Sequence, residues 1–249
     1  MKAKRVPEIE SSLAFAKSAN AELSGLIADA QKSDGTVDFI GHKVGAILQG
    51  ARQCYDYCAA DLRDDFLGNS ALRAYYPFHP DSLAKGKPFY QLSDSAPAAY
   101  ESLMRIANCI ISKQVIPRTI CRYSDAASIN DLVNQNKHDR VKEICELGRS
   151  RTRIEFPDGS VISVTPMYPF RDDGTPDFSQ PGAVGPEEWI STPGVKVTAV
   201  KDFFFAENAA LSRADVHGFC MAAITATRFI LSEVYSASYG VPADLFHER

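Results

Sequence analysis

The sequence predicts an α+β protein: a helical bundle with a small antiparallel β-sheet and a closing C-terminal helix packed on it. Apolar residues recur at helical spacing through residues 1–147, and alternating or β-branched runs follow over residues 148–210. A last amphipathic helix is predicted within residues 211–249. A chain of 249 residues can bury one large core, so residues 1–249 are expected to form a single domain.

Two long helices are predicted in the first quarter of the chain. Pro7 suits the first turn of a helix that covers about residues 8–31, because proline lacks the N–H that such a position leaves unbonded. A second helix is predicted over residues 38–66 from its apolar stripe. Arg52 and Asp56 border that stripe four residues apart, so their side chains are expected to be neighbours on the helix surface.

The connection over residues 67–95 is rich in glycine, proline and aromatic residues, which indicates an irregular segment. Its aromatic side chains are expected to anchor it on the helices; they are Tyr75, Tyr76, Phe78, Phe89 and Tyr90. A third helix is predicted over residues 96–112, with an apolar stripe that contains Leu103, Ile106, Ala107, Ile110 and Ile111.

A fourth helix is predicted over residues 124–147. Asp125 is a good N-cap residue, and no glycine or proline follows until Gly148. At 3.6 residues per turn, one face collects the apolar residues Ile129, Leu132, Val133, Ile144 and Leu147. Arg140 lies near the middle of that face, where a cation is costly unless it is paired. Either a carboxylate therefore compensates Arg140, or the face borders a cleft.

Asp56 is the candidate for that carboxylate. In one interpretation it compensates Arg140 or Lys137, and in the other it forms only a solvated pair with Arg52. Asn134 and Asn136 lie beside these residues in the run NQNKHDR. Arg52, Asp56, Asn134 and Asn136 are thus predicted to form a binding site or a structural polar cluster.

The same run has chemistry that suits phosphate. Lys137 offers a point charge, Arg140 a bidentate fork, and His138 a proton that exchanges near neutral pH. A metal-independent ribonuclease needs little more than these catalytic groups. The alternative is that Lys137 and Arg140 are structural while His138, which lies further round the helix, faces water.

The pattern changes to β-structure at Gly148. RTRIEF and SVISVTPMY flank Pro157-Asp158-Gly159 and predict a hairpin. Residues 171–194 are predicted to form a long loop, and VKVTAVKDFFFAE a further strand. A last helix is predicted over about residues 213–236, opened by Ser212 and Asp215.

Composition and motifs exclude several classes of function. The net charge is −4, so binding to nucleic acid or to an anionic membrane would need a local basic patch. The five histidines show no ligand spacing and the six cysteines form no C-x-x-C pair, so no metal site and no cofactor are expected.

The cysteines are interpreted as buried thiols of a cytoplasmic protein. No apolar run is long enough to span a bilayer, and no membrane partner is expected.

Three sequence features, in their order along the chain, resemble those of a large group of poorly characterised bacterial proteins. They are the pair Arg52 and Asp56, the aromatic-proline loop YPFHPD, and the N-x-x-K-H-x-R-like helix motif formed by residues 134–140. The resemblance covers most of the chain, although the run is KHDR here where the group often has KHR. It implies a HEPN-like helical layout, and many HEPN-like proteins are ribonucleases or abortive-infection effectors.

Two functions follow as hypotheses. The first is a cytoplasmic bacterial interaction or ligand-binding module, part of an anti-phage or toxin–antitoxin type defence system, with a partner protein or a second copy of the chain. The alternative is an RNA-directed nuclease that uses His138, Lys137 and Arg140. Only Arg73 and His79 have the Arg-to-His spacing of the HEPN signature, and Pro77 interrupts them. The acidic pI and this interrupted signature favour the first hypothesis.

Overall fold

The computed structural model of the protein describes residues 3–30, 38–68, 72–73, 75–138, 144–164, 193–205 and 215–246. Its helices are α1 (Val6–Ala30), α2 (Asp38–Leu62), α3 (Leu92–Ser95), α4 (Pro97–Ile111), α5 (Tyr123–His138) and α6 (Val216–Tyr239). Helix α2 packs against α1, α5 and α6, while α4 packs against α5 and α6. The described part of the chain is therefore mainly a helical bundle, as the sequence predicts.

Helix α2 ends in one turn of π-helix, Arg63–Leu67, and Gly68 follows in the left-handed conformation with φ 61°. The widened turn lies beside Asp61, whose side chain is 2% exposed. Asp61 accepts hydrogen bonds from the backbone N–H and the guanidinium of Arg5, at 3.1 and 2.8 Å, and from Tyr235 Oη at 2.7 Å. These contacts link the segment before α1 to the end of α2 and to α6.

Asp64 completes this polar cluster from the π-helical turn. It pairs with Arg5 at 2.8 Å and with Arg63 at 2.7 Å. Partial burial opposes the charge of Asp64, but the two guanidinium groups outweigh it and lower the pKa of the carboxyl group below its ordinary value. We call Arg5, Asp61, Asp64, Arg63 and Tyr235 the Asp61 cluster.

The connection after α2 contains two short 3₁₀ turns, Pro80–Leu83 and Pro88–Gln91. Its aromatic residues behave as predicted at Tyr76 and Phe89, which are buried. The rings of Tyr76 and Phe78 pack on Tyr55 of α2, with centroids 4.8 and 4.9 Å away. The expectation was wrong for Tyr75, whose side chain is 65% exposed, because a loop residue can turn outward without breaking any helical stripe.

The predicted fourth helix was wrong at its C-terminal end. The described part of α5 ends at His138, and a strand, β1 (Ile144–Glu155), contains Ile144 and Leu147. β1 pairs antiparallel with β3 (Lys196–Phe205), where Ile144 opposes Phe205 and Leu147 opposes Asp202. The run ICEL fits a helical period but is also compatible with a strand, and pairing with distant residues decides between them. The helical part therefore ends before residue 144, not at residue 147.

The β-rich segment contains three described strands in the order β2-β1-β3, with β2 spanning Val161–Val164. β1 and β2 are antiparallel and flank Pro157-Asp158-Gly159, the turn of the predicted hairpin. Gly159 has φ 81°, a conformation that glycine adopts without steric cost. Phe203 of β3 is buried in the helical core, so the strands attach to the bundle at this residue.

Helix α6 begins at Val216 with Asp215 as its N-cap, whereas the sequence predicts a helix from about residue 213 that Ser212 and Asp215 open together; Ser212 lies outside the described residues. Asp215 Oδ2 accepts a hydrogen bond from the backbone N–H of Gly218 at 2.7 Å. The helix ends at Gly240 with φ 66°, and its buried face includes Ile224, Leu231 and Val234. None of the described helices combines the length and the apolar character needed to span a membrane.

The cysteine thiols that the structure describes are free and buried, as predicted; they are Cys54, Cys58, Cys109, Cys121 and Cys220. Burial raises the pKa of Cys54 and of Cys220 to about 12. Among the described residues, no group of His, Cys, Asp and Glu side chains is arranged to hold a metal ion.

Candidate functional site

The structure brings together two of the predicted site residues, Arg52 and Asp56. Arg52 Nη2 lies 3.1 Å from Asp56 Oδ1, with the Arg52 side chain 6% exposed and that of Asp56 43% exposed. The guanidinium is also buried at Nε, which has no hydrogen-bond partner among the described residues. The pair is thus open to water only on its Asp56 side, and a variant that removes Asp56 leaves a buried cation behind.

The other predicted residues lie at or beyond the end of α5. Asn134 is exposed and donates a hydrogen bond to Asn130 Oδ1 at 3.3 Å. Asn136, Lys137 and His138 belong to the last turn of α5, but the structure describes only their backbone. Arg140 lies outside the described residues, so its pairing with Asp56 stays a prediction.

Sequence reasoning missed an open groove on the outer side of α4. Its volume is about 510 Å³, and it is lined by Tyr100, Glu101, Met104, Arg105, Asn108, Cys109 and Gln114. Tyr100, Met104 and Cys109 supply apolar surface, while the other residues supply charge and amide groups. This size and mixed lining are common in ligand and peptide sites.

Arg105 is held at the wall of this groove by residues from other helices. It forms an ion pair with Glu233 of α6, and its guanidinium carbon lies 5.9 Å from the ring centroid of Tyr123. Glu233 also accepts hydrogen bonds from Ser102 and Tyr123, both at 3.4 Å. The Arg105 side chain remains 50% exposed, so a fixed cation faces the groove.

The groove continues into the turn between α4 and α5, residues 112–122. Gln114 belongs to both: its Oε1 accepts the thiol hydrogen of Cys109 at 3.2 Å, and its backbone oxygen accepts the N–H of Tyr123 at 3.0 Å. Across the turn, the N–H of Ile116 donates to the oxygen of Cys121 at 2.8 Å. These bonds give the turn a defined conformation.

The turn is apolar and exposed at the same time. Ile120 at its tip is 98% exposed, Val115 is 53% exposed, and Ile111 at the end of α4 is 52% exposed. The sequence groups Ile111 with the apolar stripe of the third helix, but the structure leaves it outside the buried stripe. α4 buries a stripe that contains Ile106 and Ile110, and the next residue, Ile111, falls outside it. We call the groove, together with Ile111, Val115 and Ile120, the α4 face.

No protein-family model, curated protein or solved structure matches this chain.

Proposed function

We propose that the protein is an interaction module that binds a partner through the α4 face. The turn provides the observation that carries this proposal, because it is ordered by hydrogen bonds within the backbone and yet leaves Ile120 98% exposed. Covering an isoleucine or valine side chain yields roughly 1.5–3 kcal/mol. Single exposed apolar residues are ordinary, but Ile111, Val115 and Ile120 lie on one short segment beside a groove, as they do at interaction sites.

The cellular setting is part of the same proposal. The order of the pair Arg52 and Asp56, the YPFHPD loop and the NKHDR run supports a bacterial protein with a HEPN-like arrangement of its helices. Buried free thiols support a reducing cytoplasm. A defence system is the setting in which such a module would act, with a partner protein or a second copy of the chain as its target.

Site-specific photo-crosslinking in the native cells tests the interaction directly. A photoreactive amino acid replaces Ile120 in one variant and Phe39 in the control, since Phe39 is also a large exposed apolar residue, 69% exposed, on α2. We expect a discrete adduct at position 120 and none at position 39. An adduct at twice the 27.3 kDa mass of the chain would identify a second copy as the partner. The same adducts at both positions, or none at position 120, would contradict the proposal.

A further inference from the structure

We infer that the segment received by the α4 face is an acidic, apolar stretch of a partner protein. This inference rests on the proposed function and adds the chemistry of the partner. Residues 111–122, ISKQVIPRTICR, contain three cations, Lys113, Arg118 and Arg122, and no acidic residue. The chain as a whole has a net charge of −4, so this segment is opposite in sign to the molecule that carries it.

Two of these cations stand at fixed positions of the backbone. Lys113 has φ 53° and Arg118 has φ 63°, both in the left-handed region that side chains other than glycine rarely adopt. Such conformations cost about 1 kcal/mol or more each and persist only where the surrounding structure holds them. Both residues are exposed. The turn thus holds the backbone of Lys113 and Arg118 in place close to Val115 and Ile120.

The third cation is partly compensated. Asp125 Oδ2 accepts the backbone N–H of Arg122 at 2.8 Å and faces the Arg122 charge. Among the described residues that line the groove, Glu101 is the one acidic residue, and it lies in the N-terminal half of α4, away from the turn. Lys113 and Arg118 are therefore the cations that a partner would meet first. Charge complementarity of this kind accelerates association and selects against partners of the wrong sign.

The shape of the surface favours a protein segment over a bilayer. The projecting turn inserts easily into a membrane, but the adjoining groove of about 510 Å³ would face a bilayer that cannot follow its contour. A peptide can cover Ile120 and Val115 and also place side chains in the groove between Met104 and Arg105. The groove and the exposed apolar residues of the turn are then both buried in one interface, which a flat surface does not achieve.

The exposed side chains also favour a protein segment over RNA. Proteins that hold single strands stack the bases on aromatic rings, whereas the exposed large residues of this turn are aliphatic. Phosphates would engage Lys113 and Arg118 but leave Ile111, Val115 and Ile120 in water. An acidic, apolar segment satisfies both kinds of side chain.

Selection from a random peptide library displayed on phage tests the inference with the purified full chain. We expect peptides that combine Asp or Glu with aliphatic residues to be enriched. Binding of the selected peptides should weaken at least about tenfold in a Lys113→Glu, Arg118→Glu double variant and in Ile120→Asp, and it should weaken as salt is added. Matched controls are Lys85→Glu with Lys196→Glu, which reverse two exposed charges elsewhere, and Phe39→Asp. Circular dichroism melts check that each variant is folded.

The outcomes separate the inference from the proposed function. An adduct at position 120, combined with selected peptides that lack acidic residues or that ignore the double charge reversal, overturns the inference alone. Failure to form an adduct at position 120 overturns both, and an adduct there without any selected peptide overturns the inference alone. Binding to vesicles of phosphatidylcholine and phosphatidylserine in equal parts, lost in Ile120→Asp, would replace the protein segment with a membrane. Binding of an RNA homopolymer, lost in the double charge reversal, would replace it with nucleic acid.

Discussion

Tyr235 donates a 2.7 Å hydrogen bond to Asp61 across 174 residues of sequence, and both side chains are buried. Arg5 pairs with Asp61 from the other side, at 2.8 Å, so the buried carboxyl group has a cationic partner. The bond therefore belongs to a network that joins three separate segments of the bundle. Its members are expected to contribute unequally to the free energy of unfolding.

Asp61→Ala should lower the free energy of unfolding by about 2–4 kcal/mol, because it leaves Arg5 without its carboxylate and Tyr235 Oη without an acceptor. Tyr235→Phe removes one hydrogen bond to a charged group and should cost about 1.5–3 kcal/mol. Urea unfolding measures both. An Asp61→Ala variant as stable as the wild type would show that the network contributes nothing to stability.

Stability should fall in acid as Asp64 is protonated. The pKa of Asp64 is lowered in the folded state relative to the ordinary value of 3.8, because Arg5 and Arg63 bind its charged form. Its contribution is therefore complete above pH 3.8 and is lost as the pH falls below 3.8 through the folded-state pKa. Chemical unfolding at a series of pH values should show that the free energy of unfolding falls less steeply with decreasing pH in Asp64→Asn than in the wild type. Superimposable slopes for variant and wild type would refute this assignment.

Tyr76→Phe should leave stability unchanged or raise it by up to about 1 kcal/mol. The hydroxyl group of Tyr76 is buried and has no hydrogen-bond partner in the part of the chain that the structure describes. Its removal therefore avoids a desolvation cost and keeps the ring contacts with Tyr55 and Phe78. Tyr235→Phe is the matched control, since it removes the same atom from a bonded position. A loss at Tyr76 as large as that at Tyr235 would indicate a partner for its hydroxyl group.

Asp56→Leu should be more damaging than Arg140→Leu. Removing Asp56 leaves Arg52, with its side chain 6% exposed, as a buried cation and should cost about 1–3 kcal/mol. Arg140→Leu should change the melting temperature little if Arg140 faces solvent. Thermal melts in which the two variants lose equal stability would instead support the predicted pair between Asp56 and Arg140.

The nuclease hypothesis makes a separate prediction about His138. Purified wild-type protein and His138→Ala should both show negligible cleavage of RNA if the protein is an interaction module. Cleavage by the wild type that disappears in His138→Ala, while Lys196→Glu retains it, would favour the nuclease. Gel analysis of a labelled RNA measures this directly.

The helical part of the fold could be predicted because each long helix carries its own evidence in a local stripe of apolar residues. Asp215 could likewise be associated with the start of the last helix, although the cap itself was not distinguished from Ser212. Ile144 and Leu147 could not be placed, because their run fits a helical period and only the pairing with β3 reveals the strand. Non-local pairing of this kind leaves no local signal in the sequence.

In the candidate site, too, contacts within one helix could be predicted from the sequence and contacts between helices could not. Arg52 and Asp56 could be paired from sequence, since they are one helical turn apart. The pairs of Arg105 with Glu233 and of Asp61 with Tyr235 join different helices, and no spacing rule contains them. The turn that exposes Ile120 is not among the sites predicted from the sequence. Its isoleucines and cations are present in the sequence, but their exposure depends on how α4 and α5 pack.

The reactivity of the buried thiols reports how often the structure around each of them opens. A thiol reacts with an alkylating reagent only when it is exposed and ionised, and both conditions are suppressed at Cys54 and Cys220. The labelling rate of each cysteine is then governed by how often its surroundings open. Cys109 and Cys121 lie beside the α4 groove and in its turn, whereas Cys54 lies between α1 and α2, where its thiol faces the backbone oxygen of Ile9. Mass spectrometry of partly labelled protein would thus distinguish a partner that rigidifies the α4 face from one that steadies the whole bundle.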